Sequence, residues 1–332
     1  MRKVMWVIAL LMVIWSGWWM AASIGLRASI STWLDARATQ GWRAEVSEIE
    51  GGGFPTTLRA GLKDLALADP RAGLAIQTGR LDISAPAWWP GDVMVALDDE
   101  PILLASPLGR NTLTMQNSLM ALNLHPGTAL ELEALGWTSG PWSIADPNGV
   151  MAQASDLKLT MTQTTGPTYT LAASANSFAP GEDTRQNLRL PVGFPQAFDS
   201  LHLQATVTFD TEWDRRALDT RRPQPRQIIL HLAEARCGDL RLNIATDLNI
   251  DPNGIADGKI SLQAQNWRSI LDLAEAAGTL PAALRRQAEG ILQALAQASG
   301  NPDALEVTLN IKEGMIALGF IPLAPLPRLS LR

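Results

Sequence analysis

The chain has little of what metal sites, disulfides and nucleophilic catalysis are built from. It holds one cysteine and three histidines in 332 residues. Cys237 has no partner for an intrachain disulfide, so it reads as an isolated buried thiol. His125, His202 and His231 are far apart, and no His-x-x-x-His or Cys-x-x-Cys spacing occurs, which argues against a zinc site. Also missing are a Gly-x-Ser-x-Gly elbow, a Ser-x-x-Lys pair and a Gly-rich loop leading into Lys-Ser or Lys-Thr. Asp98-Asp99-Glu100 sits at a strand end and reads as a solvated turn. His202 and His231 fall on strands that could pair, the one place where two histidines could meet. With no catalytic, cofactor-binding or metal-ligating residue to assign, the expectation is a protein that is not an enzyme and takes no cofactor.

Charge is scarce as well. Charged residues make up 18 % of the chain, the formal net charge is −6, and no dense Lys/Arg run occurs, so nucleic acid is not an expected partner. One basic segment, Trp213 to Arg226, carries Arg215, Arg216, Arg221 and Arg222. These could contact anionic lipid headgroups, where each cation near the surface contributes about 1 kcal/mol. Asp214 and Asp219 offset them, and a solvated loop is the other reading.

Apolar residues are abundant, at 46 % with 12 tryptophans. They concentrate at the start. After Arg2 and Lys3, no charge appears from Val4 to Ile24, a stretch of about 31 Å as a helix, which matches a bilayer's hydrocarbon core. Residues 1–26 therefore read as a transmembrane anchor, with Val4, Trp6, Leu10, Leu11 and Ile14 in the span. Trp15, Trp18 and Trp19 fall toward its far end, where amphipathic rings favour the headgroup zone. The two leading basic residues favour a cytoplasmic N-terminus. A cleaved secretory signal is the alternative, because Ala21-Ala22-Ser23 resembles a cleavage site, although a signal's apolar region usually covers only about 7–15 residues. Either way the rest of the chain is exported, and the expected location is the bacterial inner membrane with the bulk of the chain periplasmic.

Residues 27–41 continue as a membrane-proximal helix with Gly41 as its C-cap. From Trp42 the period changes from 3.6 to 2, and short alternating runs separated by Gly/Pro/Asn/Asp turns continue to about residue 200. Gly51-Gly52-Gly53-Phe54-Pro55 bends the chain, and Asp69-Pro70 turns it between two alternating runs that form a hairpin. Pro86-Ala87-Trp88-Trp89-Pro90-Gly91 breaks the ladder. Asp146-Pro147-Asn148-Gly149 and Asp251-Pro252-Asn253-Gly254 are two copies of one turn. The cleanest alternation is in 201–209, 240–250 and 260–264. A helical hairpin over 267–299, with Asn266 as a candidate N-cap, interrupts the strands.

The predicted fold is mainly β, within α+β: curled antiparallel sheet with an inserted helical hairpin after the N-terminal helix. A soft boundary near residues 180–195 divides a β-rich half over 42–190 from another over 191–332. A second Gly-Phe-Pro at Gly193-Phe194-Pro195 allows a faint internal duplication.

The order of these features, namely the span, the helix ending in Gly41-Trp42, Val46 followed by Gly53-Phe54-Pro55, the Asp69-Pro70 turn, and Leu81-Asp82-Ile83 with Pro86 and Trp89-Pro90, resembles a bacterial family of exported proteins, the domain of unknown function DUF2125. That family is distantly similar to AsmA-type envelope proteins, which implies an inner-membrane-anchored β-rich protein concerned with lipids and envelope homeostasis. The resemblance supplies no functional residues. Two functions are compatible with the residues: binding of lipid or another apolar ligand in a sheet groove, or assembly with other envelope proteins through sheet edges. Aliphatic alternation is the same for an open groove and a closed core, so both remain open at this level.

Overall fold

The structure is a computed structural model and describes residues 2–107, 109–187, 195–219, 222–276, 280, 282–298, 304–319 and 321–331. It is mostly antiparallel β sheet, preceded by one long apolar helix and interrupted by a few short ones. The strands fall into two compact units, one of residues 1–124 with 137–148 and the other of 125–136 with 149–332. The expected boundary near 180–195 falls partly on residues outside those described. The strands flanking it pair with each other from Thr168↔Thr208 to Phe178↔Phe198.

The first unit opens with α1 (Arg2–Thr39), a single helix that joins the predicted anchor and membrane-proximal helix without a break. It contains no proline, so nothing removes a helical hydrogen bond. It stops at Gly41, whose φ of 92° is left-handed. The Trp42 N–H donates to the Arg37 carbonyl at 3.1 Å and the Gly41 N–H to that of Ala38 at 3.0 Å. These two bonds form a Schellman cap and satisfy carbonyls that the last turn would leave bare.

Ten strands follow in order: β1 (Arg43–Glu45), β2 (Glu48–Gly52), β3 (Thr57–Asp69), β4 (Leu74–Pro86), β5 (Asp92–Leu97), β6 (Ile102–Ser106), β7 (Gly109–Met115), β8 (Leu119–Leu124), β9 (Leu132–Ser139) and β10 (Trp142–Asp146). β1 and β2 both pair with β3, and β3 and β4 form the predicted hairpin from Thr57↔Pro86 to Asp69↔Leu74. At its far end the Arg71 N–H donates to the Asp69 carboxylate at 2.9 Å, the mechanism expected for this Asx turn.

Then the ladder forks. Leu81–Ser84 of β4 pair with β5, while Ala75–Gln77 pair with β6; β5 goes on to β8, and β6 to β7, which pairs in turn with β10. Between the two branches lies Gly79, where a side chain would collide with the Glu100 carboxylate. The acidic turn thus does structural work: the Glu100 N–H bonds Asp98 and the Asn117 N–H bonds Asp99. The inner face of β3 and β4 is closed by α1, with Leu26, Ile30 and Leu34 over Ala60, Leu62, Leu65, Leu81 and Ile83. Each fully buried leucine there contributes about 1.5–3 kcal/mol.

The second unit comprises part of β9, then β11 (Gly149–Ala154), β12 (Leu157–Thr165), β13 (Thr168–Pro180), α2 (Glu182–Asn187), β14 (Phe198–Phe209), α3 (Arg216–Asp219), β15 (Pro225–Cys237), β16 (Leu240–Ile250), β17 (Ala256–Gln265), α4 (Trp267–Ala276), α5 (Ala282–Ala298), β18 (Ala304–Lys312), β19 (Met315–Leu318) and β20 (Ile321–Pro325). From β12 to β20 each strand pairs with the next in an antiparallel meander. α4 and α5 are the predicted helical hairpin. Asn266 does not show the expected side-chain cap; it takes a φ of 56°, and its backbone carbonyl accepts from Ser269. In both Asp-Pro-Asn-Gly turns the Asp accepts from the backbone and side-chain N–H groups of the Asn, at 2.8 and 3.3 Å for Asp146 and 2.8 and 3.2 Å for Asp251. Of the second Gly-Phe-Pro only Pro195 is described, so the possible duplication lies outside the described residues.

Candidate functional site

The predicted chemistry-bearing residues are scattered. His231 bonds the Thr206 hydroxyl at 2.8 Å, whereas His202 stands opposite Glu234 on β15. A bulge in that pairing skips His231, and the two histidines do not form a common site. Among the described residues no group of three His, Cys, Asp or Glu side chains could hold a metal ion. Cys237 is buried, its thiol directed at the Ala197 carbonyl, and burial pushes its pKa up, which makes it less reactive.

The basic segment is partly neutralised. Arg216 is bound to the Asp214 carboxylate at 2.6 Å, and the same pairing holds Asp214 below the usual carboxylate range. Arg215 and Arg222 are exposed, and Arg221 lies outside the described residues. Trp213 packs with Tyr169 and Phe209 in the core of the second unit, so its ring is not offered to a surface.

The α1 residues are arranged differently. Residues 2–14 are exposed throughout, Val4, Trp6, Leu10, Leu11 and Ile14 included. α1 is long and apolar enough to cross a membrane. Trp15, Trp18 and Trp19 do more than the expected belt: their indole N–H groups donate to the backbone carbonyls of Pro55 at 2.9 Å, Ala87 at 3.1 Å and Thr57 at 2.8 Å. The Trp19 ring also meets Phe54 edge-on, with centroids 5.3 Å apart. The bend at Gly51–Pro55 and the break in the ladder at Pro86–Gly91 are therefore the parts of the sheet fastened to the helix.

Above these bends the first unit is hollow. A cavity of about 260 Å³ lies between α1 and the strands, lined by Trp18, Ala22, Leu26, Leu58, Ile83 and Val93 among others. A second, of about 320 Å³, is walled by aliphatic side chains including Leu65, Leu81, Val95, Ile102 and Leu113. A third, of about 600 Å³, shares Leu67, Ile76 and Leu104 with the second and carries Arg43, Glu45, Arg110 and Asp146. The middle cavity has two polar groups in its wall. Ser118 accepts from the Trp137 indole at 3.0 Å, while Thr78, only 3 % exposed, has a hydroxyl without a partner. A buried unpaired hydroxyl costs about 1–3 kcal/mol and is an atom a ligand could satisfy. Sequence reasoning missed these cavities. The alternating residues of β3, β4 and β5 were legible, but the fork, in which one part of β4 pairs with β5 and another with β6, carries no local pattern.

On the outer face of β2, β3 and β4 the side chains are ionic. Lys63 bridges Glu48 and Glu50 at 3.1 and 2.6 Å, Arg80 bridges Glu50 and Asp82 at 3.2 and 2.9 Å, and Arg59 reaches Asp82 at 3.0 Å. The Lys63 hydrogen bond holds the Glu50 carboxyl below its ordinary range, and that from Arg80 does the same for Asp82, against the opposing effect of burial. One face of this hairpin is thus wet and charged, the other apolar and partly empty.

These features define a predominantly antiparallel β protein carrying an N-terminal helix of membrane-spanning length. The chain matches the family described as "Uncharacterized protein conserved in bacteria (DUF2125)" over residues 18–327 and belongs to that family. No curated protein matches the chain.

Proposed function

We propose that this chain is a non-enzymatic binding protein of the bacterial envelope: α1 crosses the inner membrane, the strands lie on the periplasmic side, and the interior of the first unit holds an apolar chain such as a lipid acyl tail. The observation that carries the reading is the middle cavity, whose volume falls in the range of small-molecule sites and whose wall is apolar apart from Thr78, Ser118 and the indole N–H of Trp137. It shares Leu67, Ile76 and Leu104 with the third cavity, where Arg43, Arg110, Glu45 and Asp146 supply both signs of charge suited to a polar head beside an apolar chain. The scattered histidines and inert thiol agree with binding rather than catalysis. Assembly through sheet edges is less favoured, because β20, which among the described residues pairs with β19, carries Pro322 and Pro325 and so has fewer donors for a further strand.

The reading is tested with the full chain in vesicles containing a lipid whose acyl chain bears a photoactivatable group. Irradiation and peptide mapping should place label on β6 and β7, around Leu104 and Met115, as well as on α1. Leu104→Trp, which fills the junction of the two larger cavities, should remove the β6 and β7 label and leave that on α1. Label confined to α1 in the unaltered protein would refute a chain-binding interior.

A further inference from the structure

The bends at residues 51–58 and 83–91 have three properties that together point to a partner. First, they contain no charged residue; the nearest are Glu50, Arg59, Asp82 and Asp92. Second, their tips are apolar and bare: Phe54 is 57 % exposed and Trp88 66 %, with Pro55 and Pro90 exposed beside them. Third, several of their backbone polar groups are bonded within the protein. Besides the three carbonyls bonded by Trp15, Trp18 and Trp19, the Thr57 N–H donates to Gly53, Ala87 to Thr56 and Trp89 to Pro86. Prolines 55, 86 and 90 have no N–H to satisfy.

Their position along α1 completes the argument. From Val4 to Ile14, the part of the helix below the first of these contacts, the rise is only about 16 Å, roughly half of a bilayer's ~30 Å hydrocarbon core. The full span reaches its length only near Ile24. Trp15, Trp18 and Trp19 therefore lie within the second half of the core, and the loops bonded to them lie there too. In hydrocarbon an unpaired carbonyl costs several kcal/mol, so indole donors aimed at loop carbonyls are what such a site requires.

We infer that this charge-free end of the first unit is immersed, with Phe54 and Trp88 leading, in the acyl region of the bilayer leaflet on the far side from Arg2 and Lys3. The partner is the lipid of the membrane that α1 crosses, so the inference rests on that part of the proposed function. The first charges above the tips, Glu50, Arg59 and Asp82, then mark the headgroup level, together with Arg27, whose side chain lies over Gly51. Immersion also brings the cavity behind Trp18 and Ala22 to the depth of the acyl chains.

The test uses the full chain in phosphatidylcholine vesicles, with Cys237→Ala as background and an environment-sensitive nitrobenzoxadiazole probe on single cysteines introduced as Leu10→Cys, Phe54→Cys, Trp88→Cys and Leu74→Cys. Leu74 starts β4 at the opposite end of the hairpin, about 40 Å away at strand rise. Acyl-chain spin-labelled lipid should quench the probes at 10, 54 and 88 several-fold more than the probe at 74, and their emission should be blue-shifted. Quenching at 10 with positions 54 and 88 indistinguishable from 74 would overturn the immersion while leaving the span intact. No quenching at 10 would overturn both.

Discussion

The two units use the same building block, the antiparallel hairpin, and fill it differently. In the second unit each strand from β12 onward pairs with its neighbour in order, and its buried side chains form clusters: Tyr169 with Val207 and Phe209, Leu248 with Ile250 and Ile311, and Trp267 with Leu271 and Ala296. In the first unit β4 serves two branches, α1 closes part of the inner face, and the three cavities described, two apolar and one with charged residues in its wall, lie there. A regular meander has side-chain faces that meet across every strand pair; a forked one leaves space between branches. The difference teaches that the aliphatic alternation common to both units is not itself a sign of a groove. The fork is.

The comparison can be broken first where packing is densest. Tyr169→Ala in the second unit removes a fully buried ring that packs edge-on against Phe209 and accepts the Trp213 N–H at 3.0 Å. It should destabilise by about 3–5 kcal/mol, read as a fall in the urea midpoint of that unit. Gly53→Ala should cost about 1–3 kcal/mol in the first unit, because φ is 98° and the added Cβ would strike the Thr57 carbonyl; hydrogen exchange around 53–57 should report it. Trp19→Phe keeps a ring beside Phe54 but loses the donor to Thr57, and should cost about 1 kcal/mol by the same measurement.

Thr78→Val should act in the opposite direction. It preserves shape while deleting a buried hydroxyl that has no partner, and should stabilise the empty first unit by about 1 kcal/mol. The smallest effect is that of pH. Because the folded Asp82 carboxyl titrates below its unfolded value, near about 3.9, its contribution is present above that pH and fades as pH falls through the lower folded value. Asp82→Asn should remove this part of the acid sensitivity, seen as a flatter plot of urea midpoint against pH below about 4.

Most strands were legible because turn chemistry punctuates them. Asp69-Pro70, the two Asp-Pro-Asn-Gly segments and Gly314 each mark a turn that the structure contains, and Gly41 marks the end of α1. The inserted helices were legible from their 3.6 period. Other features depend on contacts far apart in sequence. α2 and α3 are too short to show a period. Leu203, expected on an apolar inner face, remains 37 % exposed because the buried part of β14 begins at Ala205. The role of Trp15, Trp18 and Trp19 needed the carbonyls of Pro55, Ala87 and Thr57, 38 to 69 residues away. The cavities are lined by residues from strands far apart in sequence, Leu65 and Trp137 among them.

The most direct measurement of the central claim is mass spectrometry of organic extracts from the full chain and from Leu104→Trp, each purified in one mild detergent and washed to constant lipid content. Near-stoichiometric lipid on the unaltered protein that is lost from the equally folded variant is the expected result. Equal lipid on both, or none on the unaltered chain, would contradict a ligand-holding interior.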